Sequence, residues 1–214
     1  MTAAYDLFVR ELHATGREYS DGFSGGNLLQ LTPDEHLLVR QALHECLARR
    51  EPRAPIALVL LDRTDQTRAT LQALLPAQTG PAVQHDDFEL EVAAAIVVLA
   101  DEPVALDMLE QQIKQRDSLW RSGLAEEGLR RAHPRSDASA RLARILRHGG
   151  GEQDLLIGAA DALLQRHGWR LEDPNPARQA ETVQLMRAMI GADAAQRDAA
   201  LLKVLKAPVQ PWPK

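Results

Sequence analysis

The sequence predicts an all-α protein, a right-handed solenoid of about four to five stacked helical hairpins. Its 214 residues are dominated by Ala, Leu, Arg, Gln and Glu, which are all strong helix formers. Only 4% are aromatic, fewer than a β-sandwich or barrel would need. Pairs of amphipathic segments recur around turns near residues 62, 101, 134 and 173, about 39, 33 and 39 residues apart. One such hairpin cannot bury both of its apolar faces, so neighbouring hairpins must stack.

Residues 1–31 are predicted to form an N-terminal helix and a glycine-rich loop. Leu7, Phe8 and Leu12 share one face of a short helix over residues 3–14. The three glycines within residues 21–27 disfavour a helix interior and predict a turn. A phosphate-binding loop would end in Gly-Lys-Ser or Gly-Lys-Thr, and this one does not.

The next helix has strong start signals. Thr32 is the expected N-cap, Pro33 occupies the first helical position, and Glu35 is placed to complete a capping box. The helix is predicted to run to about Arg50. The leucines expected on or near one of its faces are Leu37, Leu38, Leu43 and Leu47.

Two hairpins are expected between residues 56 and 113. Their helices cover residues 56–61, 66–75, 87–99 and 104–113, and each pair is joined by a turn that contains aspartate. The apolar run 56–61 also fits a buried strand, because periodicity does not separate short apolar runs. Helix is favoured, since no partner strand of similar character is evident.

The remaining chain is predicted to add two further hairpins, a last helix and a tail. The helices expected there cover residues 118–133, 138–148, 152–167, 177–190 and 192–205. Glycines 149–151 should end the second of these helices, and Gly168 is well placed to end the third. The proline-rich tail, residues 207–214, should be extended. The whole chain, 1–214, is expected to form a single domain.

Residues 53–76 and 87–112 resemble HEAT-type or armadillo-like repeats. They share an Ala/Leu-rich first helix, a turn with aspartate and a second helix with Leu-x-x-Leu spacing. Residues 152–168, EQDLLIGAADALLQRHG, are similar to a divergent late repeat of small bacterial HEAT-repeat proteins. The resemblance covers residues 33–190, and most units lack the regular proline and the Asp/Arg pair of the family. It implies a HEAT-like α-solenoid with an extended face for binding protein.

Charge and hydropathy narrow the classes of function. The net charge is -5, whereas a general nucleic-acid binder usually has a basic excess. The N-terminus has neither the basic nor the apolar region of a signal peptide, and the longest apolar run, residues 92–100, is too short for a membrane span. Together with a single cysteine, these features predict a cytoplasmic protein.

No constellation of residues predicts catalysis, a metal or a cofactor. One His-Glu pair, His44-Glu45, is too few for the di-iron site of HEAT-like hydroxylases. His36 and His44 are about 12 Å apart on one helix, too far to share a metal. Cys46 has no Cys-x-x-Cys partner and is expected to be a packed side chain. His133, His148 and His167 are expected at helix C-termini, where a cation suits the dipole.

The candidate binding site is an acidic patch. Residues 81–113 contain eight acidic side chains and no Lys or Arg, whereas residues 114–149 are predominantly basic. The acidic candidates are Asp86, Asp87, Glu89, Glu91, Asp101, Glu102, Asp107 and Glu110. Such a patch could steer a basic protein partner. The basic stretch could instead contact the neighbouring acidic unit within the chain, and both blocks could be ordinary solvated helix faces.

The resemblance implies a non-catalytic protein-binding module, in its most concrete form an immunity protein that occludes a cognate bacterial toxin. One alternative is a HEAT-like DNA glycosylase or nucleic-acid-binding protein, in which Trp120 lies near a basic concave surface. The arginines expected on that surface are Arg130, Arg131, Arg141 and Arg144. A second alternative is a scaffold subunit of a larger complex.

Overall fold

The computed structural model describes residues 1–20, 22–77, 83–115, 118–148 and 153–212. Within these ranges every regular element is a helix, which confirms the all-α prediction. The predicted glycine break at residues 149–151 lies outside the described residues. None of the described helices combines the length and the apolar character that a membrane span requires.

The N-terminal part consists of α1 (Ala3–Leu12), α2 (Arg17–Ser20) and α3 (Gly25–Leu28). The prediction of a loop over residues 21–27 is therefore wrong for its second half; residue 21 lies outside the described ranges. Gly25 and Gly26 begin α3 after the N-cap position, Ser24. A Cβ on Gly25 would stand 3.1 Å from a methyl group of Leu60, so glycine here allows α3 to approach the next helices closely.

Helix α4 (Pro33–Ala48) starts as predicted. The Thr32 side chain accepts the Glu35 N–H, and the Glu35 carboxylate accepts the Thr32 N–H, which completes the capping box. The predicted inner face was partly wrong, because Leu37 and Leu38 are exposed. The side chains that α4 buries in the core are Val39, Leu43, Cys46 and Leu47.

The first helices of successive pairs pack side by side in chain order. These are α5 (Ala54–Leu61), α7 (Asp87–Leu99), α9 (Leu119–Arg131) and α11 (Gln153–Arg166), which we call the first-helix layer. Helix α5 contacts α7, α7 contacts α9 and α9 contacts α11. Because α5 is helical, the strand alternative for residues 56–61 is wrong.

The second helices lie against this layer. They are α6 (Asp65–Gln72), α8 (Pro103–Gln115) and α10 (Ala138–His148), followed by α12 (Pro176–Ile190) and α13 (Ala194–Leu205). Helix α8 packs on α7 and α9, α10 packs on α11 and α13, and α12 packs on α11 and α13. Surrounded by α5, α6, α8 and α9, helix α7 is apolar on nearly all sides, as a buried helix must be.

One continuous cluster of buried side chains runs from Phe8 to Val204. Arg166, the last residue of α11, links α11 to the end of α9. Its fully buried guanidinium donates to the carbonyl oxygens of Arg130, Ala132 and His133. Gly168 has φ +79°, as expected for the residue that ends α11.

Residues 207–212 form an extended segment, as predicted, which we call the C-terminal strap. The Gln210 N–H donates to the Arg166 carbonyl oxygen at 2.8 Å. The Trp212 carbonyl oxygen accepts from Arg63 Nη2 at 3.2 Å, and the Arg131 guanidinium lies 4.8 Å from the centre of the Trp212 ring. The strap thus crosses from the end of α11 past the end of α9 to the turn after α5.

Candidate functional site

The first group of predicted acidic residues, Asp86, Asp87 and Glu89, lies at the start of α7. Each of its carboxylates lies within hydrogen-bonding distance of an arginine or histidine side chain. Asp86 is the N-cap, and Glu89 completes a capping box with it. Arg50 Nη2 binds Asp86 Oδ2 at 2.7 Å, and His85 Nδ1 lies 3.1 Å from Glu89 Oε2. Asp87 Oδ1 accepts from Arg121 Nε at 2.9 Å.

The second group lies on α8 and in the turn before it. Arg141 Nη1 is 2.9 Å from the buried carboxylate of Glu110, and Arg144 Nη1 is 3.0 Å from it. Asp107 binds the same Arg141 guanidinium. In the turn, Glu102 accepts from Gln72 Nε2 at 2.9 Å, and Asp101 is exposed.

The eight acidic candidates therefore do not make one patch facing solvent. Six of them hold a hydrogen-bonding partner elsewhere in the chain, most often an arginine one hairpin away. Arginines of the basic stretch, residues 114–149, bind these acidic residues within the chain, which is the alternative that the sequence analysis had left open. Glu91 differs from these six, because it lies in a groove and holds no hydrogen bond or ion pair among the described residues.

The arginines of the nucleic-acid alternative lie in two separate places. Arg130 and Arg131, at the end of α9, both bind the Glu127 carboxylate. Arg141 and Arg144, on α10, both bind Glu110 of α8. All four guanidinium groups thus already hold a carboxylate.

A concavity with mixed apolar and charged lining runs along the first-helix layer, with a volume of about 580 Å³. We call it the inner groove. Helices α5, α7 and α9 each present it with side chains four or seven residues apart, which helical geometry places on one face. They are Ile56 and Leu60 from α5, Asp87 and Glu91 from α7, and Trp120, Leu124 and Arg131 from α9.

Aromatic side chains from the N-terminal and C-terminal parts of the chain also line the inner groove. Tyr19 and Phe23 come from the N-terminal segment, and Trp212 comes from the strap. The Arg53 guanidinium lies 4.0 Å from the centre of the Tyr19 ring and 4.8 Å from that of Phe23. Its Nε also binds Glu51 Oε1 at 2.7 Å, so this groove arginine is already paired.

Glu91 is the groove carboxylate that lacks a hydrogen bond or ion pair among the described residues. Burial raises its pKa to about 7, and the charges of Asp87 and Glu127 act in the same direction, whereas Arg131 opposes them. Arg131 does not make an ion pair with it, because its guanidinium binds Glu127 at 2.6 Å. Among the described residues Glu91 therefore has no direct hydrogen-bonding or ion-pair partner, and Arg131 acts on it as a nearby charge that lowers its pKa.

Beside Glu91, the start of α9 exposes large apolar side chains. Trp120 is 65% exposed and Leu119 77%, although both follow directly from the N-cap Ser118 on a well-formed helix. Both also line the part of the groove that reaches Glu91 and Glu127. Exposed tryptophan beside apolar and charged groups is typical of binding hot spots.

The histidines and the cysteine do not form a reactive site with a metal. No group of three metal-binding side chains occurs in the described part of the chain. The Cys46 thiol is buried, which raises its pKa and disfavours the thiolate. His167 was expected to be a cation at a helix end, but burial lowers its pKa and its ring bridges the Ala207 carbonyl oxygen and the Ser139 hydroxyl.

Comparison with protein-family models, curated proteins and solved structures finds no match for this chain. Of the inner-groove residues, the sequence had singled out Trp120 and Arg131 for the nucleic-acid alternative, and Asp87 and Glu91 only as two of the eight acids. Glu91 has a local signal of its own: it is the last charged residue before an apolar stretch of nine residues that forms most of α7. Tyr19 and Phe23 had no signal, because their position follows from the tertiary packing of α2 and the loop after it.

Proposed function

We propose that the chain is a non-catalytic, HEAT-like α-solenoid that binds a protein partner in the inner groove. The observation that carries this proposal is the Glu91 carboxylate, which has no hydrogen bond or ion pair among the described residues, in the groove that the exposed Trp120 indole also lines. An aromatic anchor and an unpaired charge at the centre of a groove are what a protein interface uses for affinity and for specificity. The successive packing of α5, α7, α9 and α11 supports the solenoid architecture.

Nucleic acid is a poorer fit for the same groove. Its arginines, Arg53 and Arg131, are bound to Glu51 and Glu127, so they are not available to neutralise phosphates. The remaining charge in the groove is negative, and the chain as a whole carries a net charge of -5. A phosphate backbone in this groove would meet repulsion from Glu91.

The most concrete form of the proposal is an immunity protein that neutralises a cognate bacterial toxin by occluding it. It rests on the resemblance of residues 33–190 to small bacterial HEAT-repeat proteins. We propose that the partner contacts Glu91 and its aromatic neighbours in the groove, and not the acidic patch of eight residues that the sequence predicted. A scaffold subunit would use the same groove without inhibiting its partner.

The test is affinity capture from a lysate of the source organism, with and without nuclease, using three forms of the tagged chain. Wild type is compared with Trp120→Ala and with Leu202→Ala, a matched removal of an exposed apolar side chain on α13. We expect one stoichiometric protein that survives nuclease, is retained by Leu202→Ala and is lost with Trp120→Ala. Inhibition of that protein's activity by the chain would separate an immunity protein from a scaffold.

Two outcomes would overturn the proposal. Recovery of nucleic acid with no protein left after nuclease treatment would point to the nucleic-acid alternative. Equal capture by wild type and Trp120→Ala would show that the partner binds elsewhere on the molecule.

A further inference from the structure

The chain repeatedly combines an arginine with an aromatic ring and a carboxylate. Arg50 lies 4.8 Å from the centre of the Phe88 ring and binds Asp86. Arg53 lies over Tyr19 and binds Glu51. Stacking on the ring and pairing with the carboxylate are complementary, because the planar guanidinium offers its face to one and its N–H edge to the other.

A third such combination lies at the edge of the inner groove. Arg131 is placed over the Trp212 ring and binds the Glu127 carboxylate. Next to it, Trp120 and Glu91 supply the same aromatic ring and carboxylate in one groove. No described guanidinium pairs with Glu91, since Arg131 binds Glu127 and lies over the Trp212 ring.

We propose that the inner groove binds an arginine side chain of the protein partner, seated against the Trp120 indole and paired with the Glu91 carboxylate. This inference rests on the proposed function and names the chemistry that the groove recognises. The partner's guanidinium would complete the fourth arginine–aromatic–carboxylate combination. It would also pair with the Glu91 carboxylate, which has no hydrogen bond or ion pair among the described residues, so charge complementarity identifies the occupant.

Binding should depend on pH, because only ionised Glu91 attracts the guanidinium. The affinity should therefore rise between about pH 6 and pH 8 as Glu91 loses its proton, whose pKa is about 7. Other charged or titratable groups also face the groove around Glu91, and their contributions stay in the Glu91→Gln variant. They are Asp87, whose carboxylate binds Arg121, together with Glu127, Arg131, Arg53 and Tyr19.

The experiment uses the full chain and two peptides that differ in one group. One is N-acetyl-Gly-Arg-Gly-amide, and the other carries citrulline, the neutral isostere of arginine, in the same position. Binding is followed by NMR through the indole N–H of Trp120, which the Trp120→Phe variant assigns. A single guanidinium on an exposed groove should bind with a Kd on the order of millimolar.

The control variant is Glu126→Gln. Glu126 lies on the same helix as Trp120 and burial also raises its pKa to about 7, but it faces a different cavity beside Ser118 and Ser122. We expect Glu91→Gln to weaken arginine binding by about tenfold and to remove its pH dependence, because a charge-assisted hydrogen bond is lost. Glu126→Gln should bind like wild type, and the citrulline peptide should leave the Trp120 resonance unchanged.

Equal binding of the arginine and citrulline peptides would overturn the inference, as would unchanged affinity in Glu91→Gln. Absence of any shift with the arginine peptide at about ten times the expected Kd would overturn it as well. These failures are distinguishable from failure of the proposed function. If lysate capture still requires Trp120 while the peptide does not bind, the groove binds a protein by another chemistry.

Discussion

Glu91→Gln should raise the stability of the folded chain while it removes the binding that we assign to the groove. Burial raises the pKa of Glu91 from 4.5 to about 7, so its ionised form is disfavoured in the folded state. Each tenfold change in the ionisation equilibrium is worth about 1.4 kcal/mol, which gives roughly 3 kcal/mol as an upper value. Glu91 is only half-buried, and a glutamine amide retains part of the desolvation cost, so the expected gain is about 1–3 kcal/mol.

The gain has a defined pH dependence. The folded state holds the Glu91 proton more tightly than the unfolded state, so the destabilisation is absent well below pH 4.5. It grows as pH rises and is complete above about pH 7. Glu91→Gln should therefore gain about 1–3 kcal/mol at pH 8 and about a quarter of that at pH 5.

Urea unfolding followed by far-UV circular dichroism at pH 5 and pH 8 measures this difference. With a slope of about 2–3 kcal/mol per molar urea for a chain of this size, a gain of 2 kcal/mol moves the midpoint by nearly 1 M. Glu126→Gln should show the same stabilisation, since burial and the charge of Asp161 raise the pKa of Glu126 to about 7 too. Equal gains at the two pH values, or a loss at pH 8, would refute the reasoning about Glu91.

Two further substitutions and one titration test the packing around the groove. Arg166→Met should lower the free energy of unfolding, measured in urea, by about 3–5 kcal/mol, because buried carbonyl oxygens lose a charged donor. The control Arg170→Met, at an exposed position, should change it by less than about 0.5 kcal/mol. Gly128→Ala should cost about 1–3 kcal/mol in the same assay, since its Cβ would stand 3.0 Å from that of Ala94 and force α9 away from α7. The lowered pKa of His167 means that its neutral form stabilises the fold above about pH 6.5, and this stability is lost as pH falls through the folded-state pKa. An NMR titration that places the His167 pKa below 6.5 would confirm this direction. A value above 6.5 would contradict the dominant effect of burial, since the hydrogen bond to Ala207 acts the other way and raises the pKa.

The helices could be predicted from the sequence because their signals are local. Thr32 and Glu35 specify a helix start by hydrogen bonds within four residues, and the structure shows both of these bonds. Which face of α4 is buried could not be predicted as well from the sequence. Leu37 and Leu38 are as apolar as Leu43, and only the position of the neighbouring helices decides that the first two remain exposed.

The pairing of the charges could not be predicted from local pattern, because its partners are one hairpin apart. Asp87 and Arg121 are 34 residues apart, as are Asp107 and Arg141 and also Glu110 and Arg144. Helices α7 and α9 lie side by side, as do α8 and α10, so a charge on one helix meets its complement 34 residues further along the chain. Comparing charges at the spacing of the repeat, rather than within each segment, would have predicted that the acidic and basic stretches neutralise each other.

This pairing is also what gives Glu91 its significance. A random scatter of surface charges would leave many carboxylates without a partner, and one more would carry no information. Here the carboxylates on the first turn of α7 and along α8 are bound to arginines of neighbouring helices, while Glu91 is held in a partly desolvated groove without one. Unpaired charge at such a site is costly to the folded state. The chain reduces this cost by retaining the Glu91 proton, whose pKa is about 7, and the guanidinium that we propose for the groove beside Trp120 would offset the cost when Glu91 is ionised.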